Sequence, residues 1–325
     1  MKLDPDLSRV VYASYLGGRY DDQIEGITTA PDGSFYVTGY TASPDFPVVR
    51  NSFQPNYPAG STGNGFIARF SSACVFEQST FLGAWSIDGL RNNSASLYAV
   101  AADPSGNIHV AGKYTRNSMD GGSQQFEAFA AKLTPQLGDL LYYKPLYGLT
   151  GPDGMSAAYS IAVDENGSAH VAGITNYDDF PVVNQYQGFR AGDNDLFLTK
   201  LSPDGEFITY STYLGGDAGD ARPVVAVAPD GNAVVAGKTK STDFPVDLYP
   251  FQKVFGGQED ACLSALVTTP ASSVNGANLG LVLSSPRLRS GDRLSMSISL
   301  GKDIHTAFDA YLGVENTTTD RKSVV

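Results

Sequence analysis

Short segments in which apolar residues alternate with polar ones recur along the first 270 residues, separated by turns rich in glycine, proline and aspartate. Residues 159–163, 169–173, 196–201 and 208–214 form one such set of four. Segments of this length predict β-strands, and the turns between them predict antiparallel hairpins. With 35 glycines, 18 prolines and only 17% charged residues, the composition also favours strands over amphipathic helices. The sequence therefore predicts an all-β fold.

Several sequence blocks recur at a period of about 60 residues. Residues 12–18, Tyr-Ala-Ser-Tyr-Leu-Gly-Gly, return as Tyr-Ser-Thr-Tyr-Leu-Gly-Gly at 210–216. A second block, Val-x-Gly, follows a tight turn in each of four units, and its glycines are Gly39, Gly112, Gly173 and Gly237. Four strands per repeat are typical of a propeller blade, with a solenoid as the alternative. We predict a β-propeller of four-stranded blades over residues 1–270, in units of about 8–70, 71–133, 134–201 and 202–270.

The two ends of the sequence modify this prediction. Residues 2–6 match residues 200–204, which indicates that the chain begins inside a blade and is part of a larger propeller. Closure with four blades remains an alternative, in which a strand near residues 10–16 completes the last sheet. Residues 271–325 lose the repeat but alternate apolar and polar positions at 279–284 and 294–300, so we expect a partial β-sandwich-like segment there.

Charge and apolar content exclude two classes of partner. The formal net charge is −12 and the pI is about 4.6, which argues against a nucleic-acid partner because such partners require clustered Lys and Arg. No apolar run approaches the roughly 18 residues of a membrane helix, so we expect no membrane insertion in this segment. Met1 is followed by polar residues, without the apolar core of a signal peptide. Cys74 and Cys262 are far apart and predict two buried free thiols.

The repeated motifs resemble one known family. Tyr-Leu-Gly-Gly, Asp-Gly, Val-x-Gly-x-Thr, Asp-Phe-Pro and Phe-Gln occur in this order, and together they are similar to the bacterial β-propeller repeat family called SBBP, over about residues 2–269. Asp-Phe-Pro stands at 45–47, 179–181 and 243–245, whereas the second unit departs from the pattern at 117–122. The resemblance implies an extracellular or cell-envelope protein of bacterial type and no particular reaction.

Antiparallel strands place alternate connections at opposite ends of a blade. The longer loops would share one end and gather the acidic residues Asp21, Asp22, Asp88, Asp153, Asp217 and Asp220, which are our candidate ligand-binding residues. Acids near the start of the third strands, Asp193, Asp195 and Asp260, are candidate metal ligands, and calcium is the cation that dense carboxylates favour. No motif requires a cofactor. The alternative is that these residues cap turns by accepting backbone N–H groups.

Signatures of catalysis are few. His109 and His170 occupy equivalent strand positions, which indicates a repeat position and not a catalytic pair. The sequence contains no nucleophile elbow, His-Glu-x-x-His motif or phosphate-binding glycine loop. Phe46, Phe180 and Phe244 of the Asp-Phe-Pro motifs are expected to pack between blades. A glycosidase needs only two suitably spaced carboxylates, so that class stays open.

Three functional hypotheses follow. The first is a non-enzymatic secreted or cell-envelope module that binds a glycan or a protein partner at the cell surface through the acidic long-loop face. The second is a structural spacer of a multidomain surface protein. The third is a glycoside hydrolase or lyase that uses carboxylates on the same face. A binding module predicts aromatic and acidic side chains exposed together, whereas an enzyme predicts two facing carboxylates in a pocket.

Overall fold

A computed structural model describes residues 2–6, 8–83, 94–116, 124–148, 154–247 and 250–268. All regular structure in this part of the chain is β-strand, and it includes no helix of the length and hydrophobicity needed to cross a membrane. The predicted sandwich-like segment 271–325 and the divergent loop 117–122 lie outside the described residues.

Fifteen of the seventeen strands form four antiparallel sheets, each ordered as in the sequence. Sheet I contains β3 (Asp22–Thr29), β4 (Phe35–Thr41), β5 (Asn64–Phe70) and β6 (Phe76–Leu82). Sheet II contains β7 (Ser94–Ala102), β8 (Ile108–Arg116), β9 (Gln125–Leu133) and β10 (Leu140–Leu146). Sheet III contains β11 (Ser156–Val163), β12 (Ala169–Thr175), β13 (Asp195–Leu201) and β14 (Ile208–Leu214). Sheet IV has three strands, β15 (Asp220–Val227), β16 (Ala233–Thr239) and β17 (Asp260–Leu266), and β1 (Lys2–Leu3) pairs with β2 (Val10–Tyr12).

The turn between the first and second strands is built alike in all four sheets. Its glycine has a φ of 80° at Gly33, 84° at Gly106, 83° at Gly167 and 78° at Gly231. Residues other than glycine rarely adopt this left-handed conformation, so the Asp-Gly, Ser-Gly and Asn-Gly turns define where each hairpin reverses. Three of the four sheets have the four strands that the sequence predicted for each repeat, and sheet IV has three of them among the described residues.

Neighbouring sheets pack face to face, with the first strand of each sheet against the sheet before it. Buried apolar clusters join sheet I to II, II to III and III to IV. In the cluster between sheets II and III, Ile161 and Val171 of sheet III pack with Ala128 and Ala130 of sheet II. Phe180 belongs to the same cluster and Phe244 packs against the cluster between sheets III and IV, in agreement with their predicted place between blades, whereas Phe46 lies in a cluster of sheet I side chains. The sheets therefore stand side by side, as in a propeller.

The row of sheets is open at both ends. None of the described apolar clusters contains residues of both sheet I and sheet IV. Strand β2, which would complete sheet IV in a four-blade ring, instead pairs with β1. The pairing of Lys2 with Tyr12 repeats that of Lys200 with Tyr210 in sheet III. Residues 2–12 are thus arranged like the outer hairpin of a preceding sheet.

Candidate functional site

Within each sheet the connections fall at two ends. The short turns, such as residues 30–34 and 202–207, lie at what we call the short-turn end. The Tyr-Leu-Gly-Gly loops and the Asp-Phe-Pro loops lie at the opposite, long-loop end. The sheets share one orientation. In two neighbouring pairs, a backbone hydrogen bond joins the start of a third strand to the start of the next sheet's first strand: Phe126 N–H donates to Gly154 O, and Asp220 N–H donates to Asn194 O. Asp21, Asp22, Asp217 and Asp220 therefore lie at the long-loop end of the described sheets.

At the long-loop end, carboxylates hold the Gly-Gly loop of sheet I in place. Asp22 Oδ2 accepts the N–H of Gly18 at 2.8 Å, and Asp45 Oδ1 accepts that of Arg19 at 3.1 Å. The hydroxyl of Ser43 accepts the next N–H, that of Tyr20, at 2.8 Å. Three successive loop N–H groups are thus satisfied by side chains of the following sheet.

Sheet IV repeats this arrangement residue for residue. Asp220 Oδ2 accepts the N–H of Gly216 at 3.3 Å, and Asp243 Oδ1 accepts that of Asp217 at 2.8 Å. Ser241 accepts the N–H of Ala218 at 3.0 Å. The aspartate of the Asp-Phe-Pro motif therefore anchors the Tyr-Leu-Gly-Gly loop, which explains why the two motifs recur together.

A glutamine that precedes the third strand, Gln187 in sheet III and Gln252 in sheet IV, performs a second anchoring task. Gln187 donates to Asp195 Oδ2 at 3.0 Å and accepts the N–H of Gly215 at 3.1 Å. Asp195 also accepts the N–H groups of Ala191 and Gly192 at 3.0 and 3.2 Å. In sheet IV, Asp260 Oδ2 accepts from Gln252 and Gly256 in the same way. We did not predict these roles, although Gln187 and Gln252 each precede the start of their third strand by eight residues.

Two carboxylates meet where sheets III and IV adjoin. Gly215 lies between them. A methyl group in its place would be 2.5 Å from Asp220 Oδ2 and 2.8 Å from Asp195 Oδ1, so the two oxygens are at most 5.3 Å apart. Burial, with a smaller contribution from the nearby Asp195, raises the pKa of Asp220 to about 6. Burial also raises the pKa of Asp195. Both side chains are almost completely buried, which removes this pair from contact with a dissolved substrate.

The predicted site residues divide into buried and exposed groups. Asp195 and Asp220 are buried, Asp22 and Asp260 are half-buried, and Asp21, Asp193 and Asp217 are exposed. Asp88 and Asp153 lie outside the described residues. Among the residues that the structure describes, no three His, Cys, Asp or Glu side chains converge as metal ligands. Calcium binding at Asp193, Asp195 and Asp260 therefore stays a prediction, and two of these carboxylates already accept N–H groups.

An open depression lies at the long-loop end of sheet I. It has a volume of about 470 Å³ and is lined by Arg19, Tyr20, Asp21 and Ala42. Tyr20 is 62% exposed, and Arg19 pairs with Asp45 at 3.2 Å. The sequence identified Asp21 but missed Arg19 and Tyr20, because only the loop geometry brings an aromatic ring, a cation and an acid to one edge.

The short-turn end carries a different polar cluster. Asp103 Oδ2 lies 2.9 Å from Lys132 Nζ and 3.4 Å from His109 Nε2, and all three side chains are buried. Although burial opposes it, hydrogen bonds from His109 and Lys132 hold the pKa of Asp103 below its usual range. Burial lowers the pKa of His109. The imidazole is therefore neutral at pH 7, and its Nδ1 lies 3.1 Å from the hydroxyl of Tyr142.

Sheet III contains the same cluster in Asp164, His170 and Lys200. Asp164 Oδ2 lies 3.0 Å from Lys200 Nζ and 3.3 Å from His170 Nε2. Burial and the adjacent Lys200 lower the pKa of His170 to about 4. Both histidines thus occupy one repeat position with the same buried partners, as their spacing predicted. Cys74 and Cys262 are free and buried, which confirms the prediction for the cysteines.

Comparison with known proteins gives limited information. No protein-family profile matches the chain, and no curated protein matches it. Among solved structures, a protein of unknown function from Dyadobacter fermentans is 12% identical with a TM-score of 0.41, covering 67% of this chain and 57% of its own. An ulvan lyase of polysaccharide lyase family 25 is 10% identical with a TM-score of 0.40, covering 74% of this chain and 54% of its own. A sucrose-6-phosphate hydrolase from Lactobacillus gasseri is 11% identical with a TM-score of 0.32, covering 74% of this chain and 44% of its own.

The chain thus spans about half the length of these structures. At identities of 12% or less and TM-scores of 0.41 or less, neither an activity nor a substrate carries over to this chain.

Proposed function

We propose that this chain is a non-enzymatic β-propeller module that binds a glycan through its long-loop end. The observation that supports this is the depression in which Tyr20, Arg19 and Asp21 are exposed together. An exposed ring offers an apolar face to a sugar ring, and a carboxylate and a guanidinium offer hydrogen bonds to its hydroxyl groups. Such a combination suits a neutral or weakly polar carbohydrate.

The remaining acids of this end favour binding over catalysis. Asp22, Asp45, Asp220 and Asp243 each use one carboxylate oxygen to accept a loop N–H group, so these four acids take part in holding the loops in place. The carboxylate pair Asp195 and Asp220 is buried. A glycosidase would need such a pair open to its substrate. The resemblance to the bacterial repeat family supports a location outside the cell or in the cell envelope.

One observation favours the structural-spacer alternative. In sheet IV the residue equivalent to Tyr20 is Ala218, which accordingly offers no ring. The proposed site is therefore a property of one repeat and not of the repeat pattern.

The proposal is tested by measuring binding to a panel of soluble polysaccharides by affinity electrophoresis and calorimetry. We expect Tyr20→Ala to weaken binding of any ligand found by at least tenfold, because the stacking face is lost. The matched control is Phe207→Ala, which removes a ring that is 63% exposed at the opposite, short-turn end. Repeating the panel with calcium and with a chelator tests the calcium prediction. Equal weakening by both variants, or no binding to any polysaccharide, would contradict the proposal.

A further inference from the structure

Two carboxylates are buried together where sheet III meets sheet IV. Asp195 is 0% exposed and Asp220 is 1% exposed. No ion pair between described residues includes either of them. Arg190, whose charge acts on Asp195, pairs instead with Asp178 at 2.7 Å. Burying an ionised carboxylate without a counter-charge is costly, and two buried together also repel each other. The described side chains therefore leave this pair without a directly paired cation.

Two oxygen atoms at the same place are buried without a hydrogen-bond partner. They are Asp220 Oδ1 and Asn194 Oδ1. Asn194 lies next to Asp220, because its carbonyl oxygen accepts the Asp220 N–H at 2.8 Å. The hydroxyls of Thr239 and Ser241 are near enough to lower the pKa of Asp220, but neither donates to Oδ1. Leaving a buried oxygen without a donor is costly, so these two atoms are available to a cation.

Backbone carbonyl oxygens add to this environment. Gly192 donates its N–H to Asp195 Oδ1 at 3.2 Å, and a methyl group at Gly192 would collide with the carbonyl oxygens of Gly216 and Ala218. These carbonyls therefore lie close to Asp195, in the loop that leads into β15. Ca²⁺ takes about six to eight oxygen ligands of these kinds in flexible geometry, whereas Mg²⁺ demands a regular octahedron and retains several waters. The donor set favours Ca²⁺.

The two acids are not a feature of the repeat. The register assigns equivalent positions at the start of each first and third strand. Where sheet I adjoins sheet II, these positions hold Asn64 in the third strand and Ala95 in the next first strand. Where sheet II adjoins sheet III, they hold Glu127 and Ser156. Among the contacts between sheets that the structure describes, only that of sheets III and IV thus has an acid on both sides. Packing one sheet on the next does not require two carboxylates.

We propose that Asp195 and Asp220 bind one Ca²⁺ ion between sheets III and IV, with Asn194 Oδ1 and the carbonyl oxygens of Gly216 and Ala218 as further ligands. The ion neutralises both buried carboxylates and fastens the loop before β15 to the two sheets. The site is separate from the proposed glycan site, which lies in sheet I.

This site differs from the set of three acids that the sequence suggested. Asp195 belongs to both sets. Asp193 is exposed, and Asp260 lies in the third strand of sheet IV, where its Oδ2 accepts N–H groups from Gln252 and Gly256. The partner of Asp195 is therefore Asp220, which the sequence placed among the ligand-binding acids.

Calorimetric titration and thermal unfolding of the full chain at pH 7–8, with calcium and with a chelator, test the proposal. We expect one Ca²⁺ per chain and a midpoint of thermal unfolding that rises with calcium concentration, because a ligand that binds the native state stabilises it by mass action. Magnesium at the same concentration should have a much smaller effect. Equal stability in calcium and in the chelator would overturn the proposal.

Asp220→Asn keeps the size of the side chain and removes a charged ligand. It should weaken calcium binding by roughly tenfold or more. In the chelator at pH 7–8 it should be at least as stable as the wild type, because a buried charge is gone. A loss of binding in this variant then cannot be a failure to fold. Asp195→Asn should also weaken calcium binding, and unchanged binding in Asp220→Asn would contradict the proposal.

Two matched controls come from the repeat. Asp22 is the counterpart of Asp220 and Asp260 is that of Asp195, and each anchors a loop of its own sheet in the same way. Neither lies between sheets III and IV, so Asp22→Asn and Asp260→Asn should leave calcium binding unchanged. If either control weakens binding as much as Asp220→Asn does, calcium does not bind where we place it.

Discussion

The two ends of the sheets use ionisable side chains in opposite ways. At the short-turn end, Asp103 and Lys132 are buried together, and Lys132 also donates to Pro203 O of the next sheet at 3.2 Å. At the long-loop end, Asp22 and Asp45 accept N–H groups of the loop that leads into their own sheet. In these examples the lysine at the short-turn end reaches the next sheet, whereas the two aspartates at the long-loop end hold a loop to their own sheet.

This difference bears on where function can reside. Polar contacts between sheets constrain both partners, so the short-turn end has little freedom to change. A loop anchored through its backbone N–H groups leaves its side chains free. Arg19 and Tyr20 are held in that way, as are Asp217 and Ala218, and the two loops differ completely in side-chain chemistry. The same backbone anchoring thus displays different side chains in the loops of sheets I and IV.

The largest expected effect comes from breaking the buried cluster at the short-turn end. Asp103→Ala leaves Lys132 charged and without its carboxylate in a buried position, which should lower the free energy of unfolding by about 3–5 kcal/mol. Denaturant unfolding followed by circular dichroism measures this loss. The double variant Asp103→Ala with Lys132→Met should recover part of it, because no charge is left unpaired. If the double variant is less stable than the single one, the cluster does not act as an ion pair.

At the long-loop end, Asp220→Asn should change how stability depends on pH. The raised pKa of about 6 means that the native state keeps a proton that the unfolded state loses near pH 4. The contribution of Asp220 is therefore complete below pH 4 and is lost as pH rises through 6. Asparagine does not ionise, so the variant should gain about 2–3 kcal/mol at pH 7–8 and nothing below pH 4.

Thermal unfolding of both proteins between pH 4 and 8 measures this difference. The control is Asp193→Asn in an exposed loop, which should change stability by less than about 0.5 kcal/mol. Parallel stability curves for the wild type and Asp220→Asn across this range would show that the buried pair carries no proton.

The sequence predicted the strands well because the hairpin turns are local. The predicted strand 208–214 agrees with β14 at both ends, and 169–173 falls within β12. The partners of the acids were harder to predict, because Arg19 and Asp45 are 26 residues apart in two different loops of sheet I. The lysines of the buried clusters follow their histidines by 23 residues in sheet II and 30 in sheet III, so no fixed spacing marks them.

The joint recurrence of Tyr-Leu-Gly-Gly and Asp-Phe-Pro in sheets I and IV was a usable signal for the loop anchors, since the segments before and after one hairpin come together at its open end. The depression at Tyr20 had no such signal. Arg19, Tyr20 and Asp21 are adjacent in sequence, but their side chains are displayed together only because three backbone hydrogen bonds fix the loop. The repeat pattern did not point to them, because the equivalent loop of sheet IV has different side chains.

The smallest expected effect separates contacts between sheets from contacts within one. Tyr36 donates its hydroxyl to Pro135 O of sheet II at 2.7 Å, whereas Tyr40 of the same strand donates to Thr62 O in a loop of its own sheet at 3.0 Å. Tyr36→Phe should lower the free energy of unfolding by about 1 kcal/mol, because a largely buried carbonyl loses its donor. Tyr40→Phe removes an exposed bond that water can replace, so its loss should be smaller. Denaturant unfolding of the two variants gives the comparison. A greater loss for Tyr40→Phe would mean that the Tyr36 hydrogen bond between sheets I and II contributes less to stability than the loop contact of Tyr40. Polar contacts between sheets would then not be the stronger ones in sheet I.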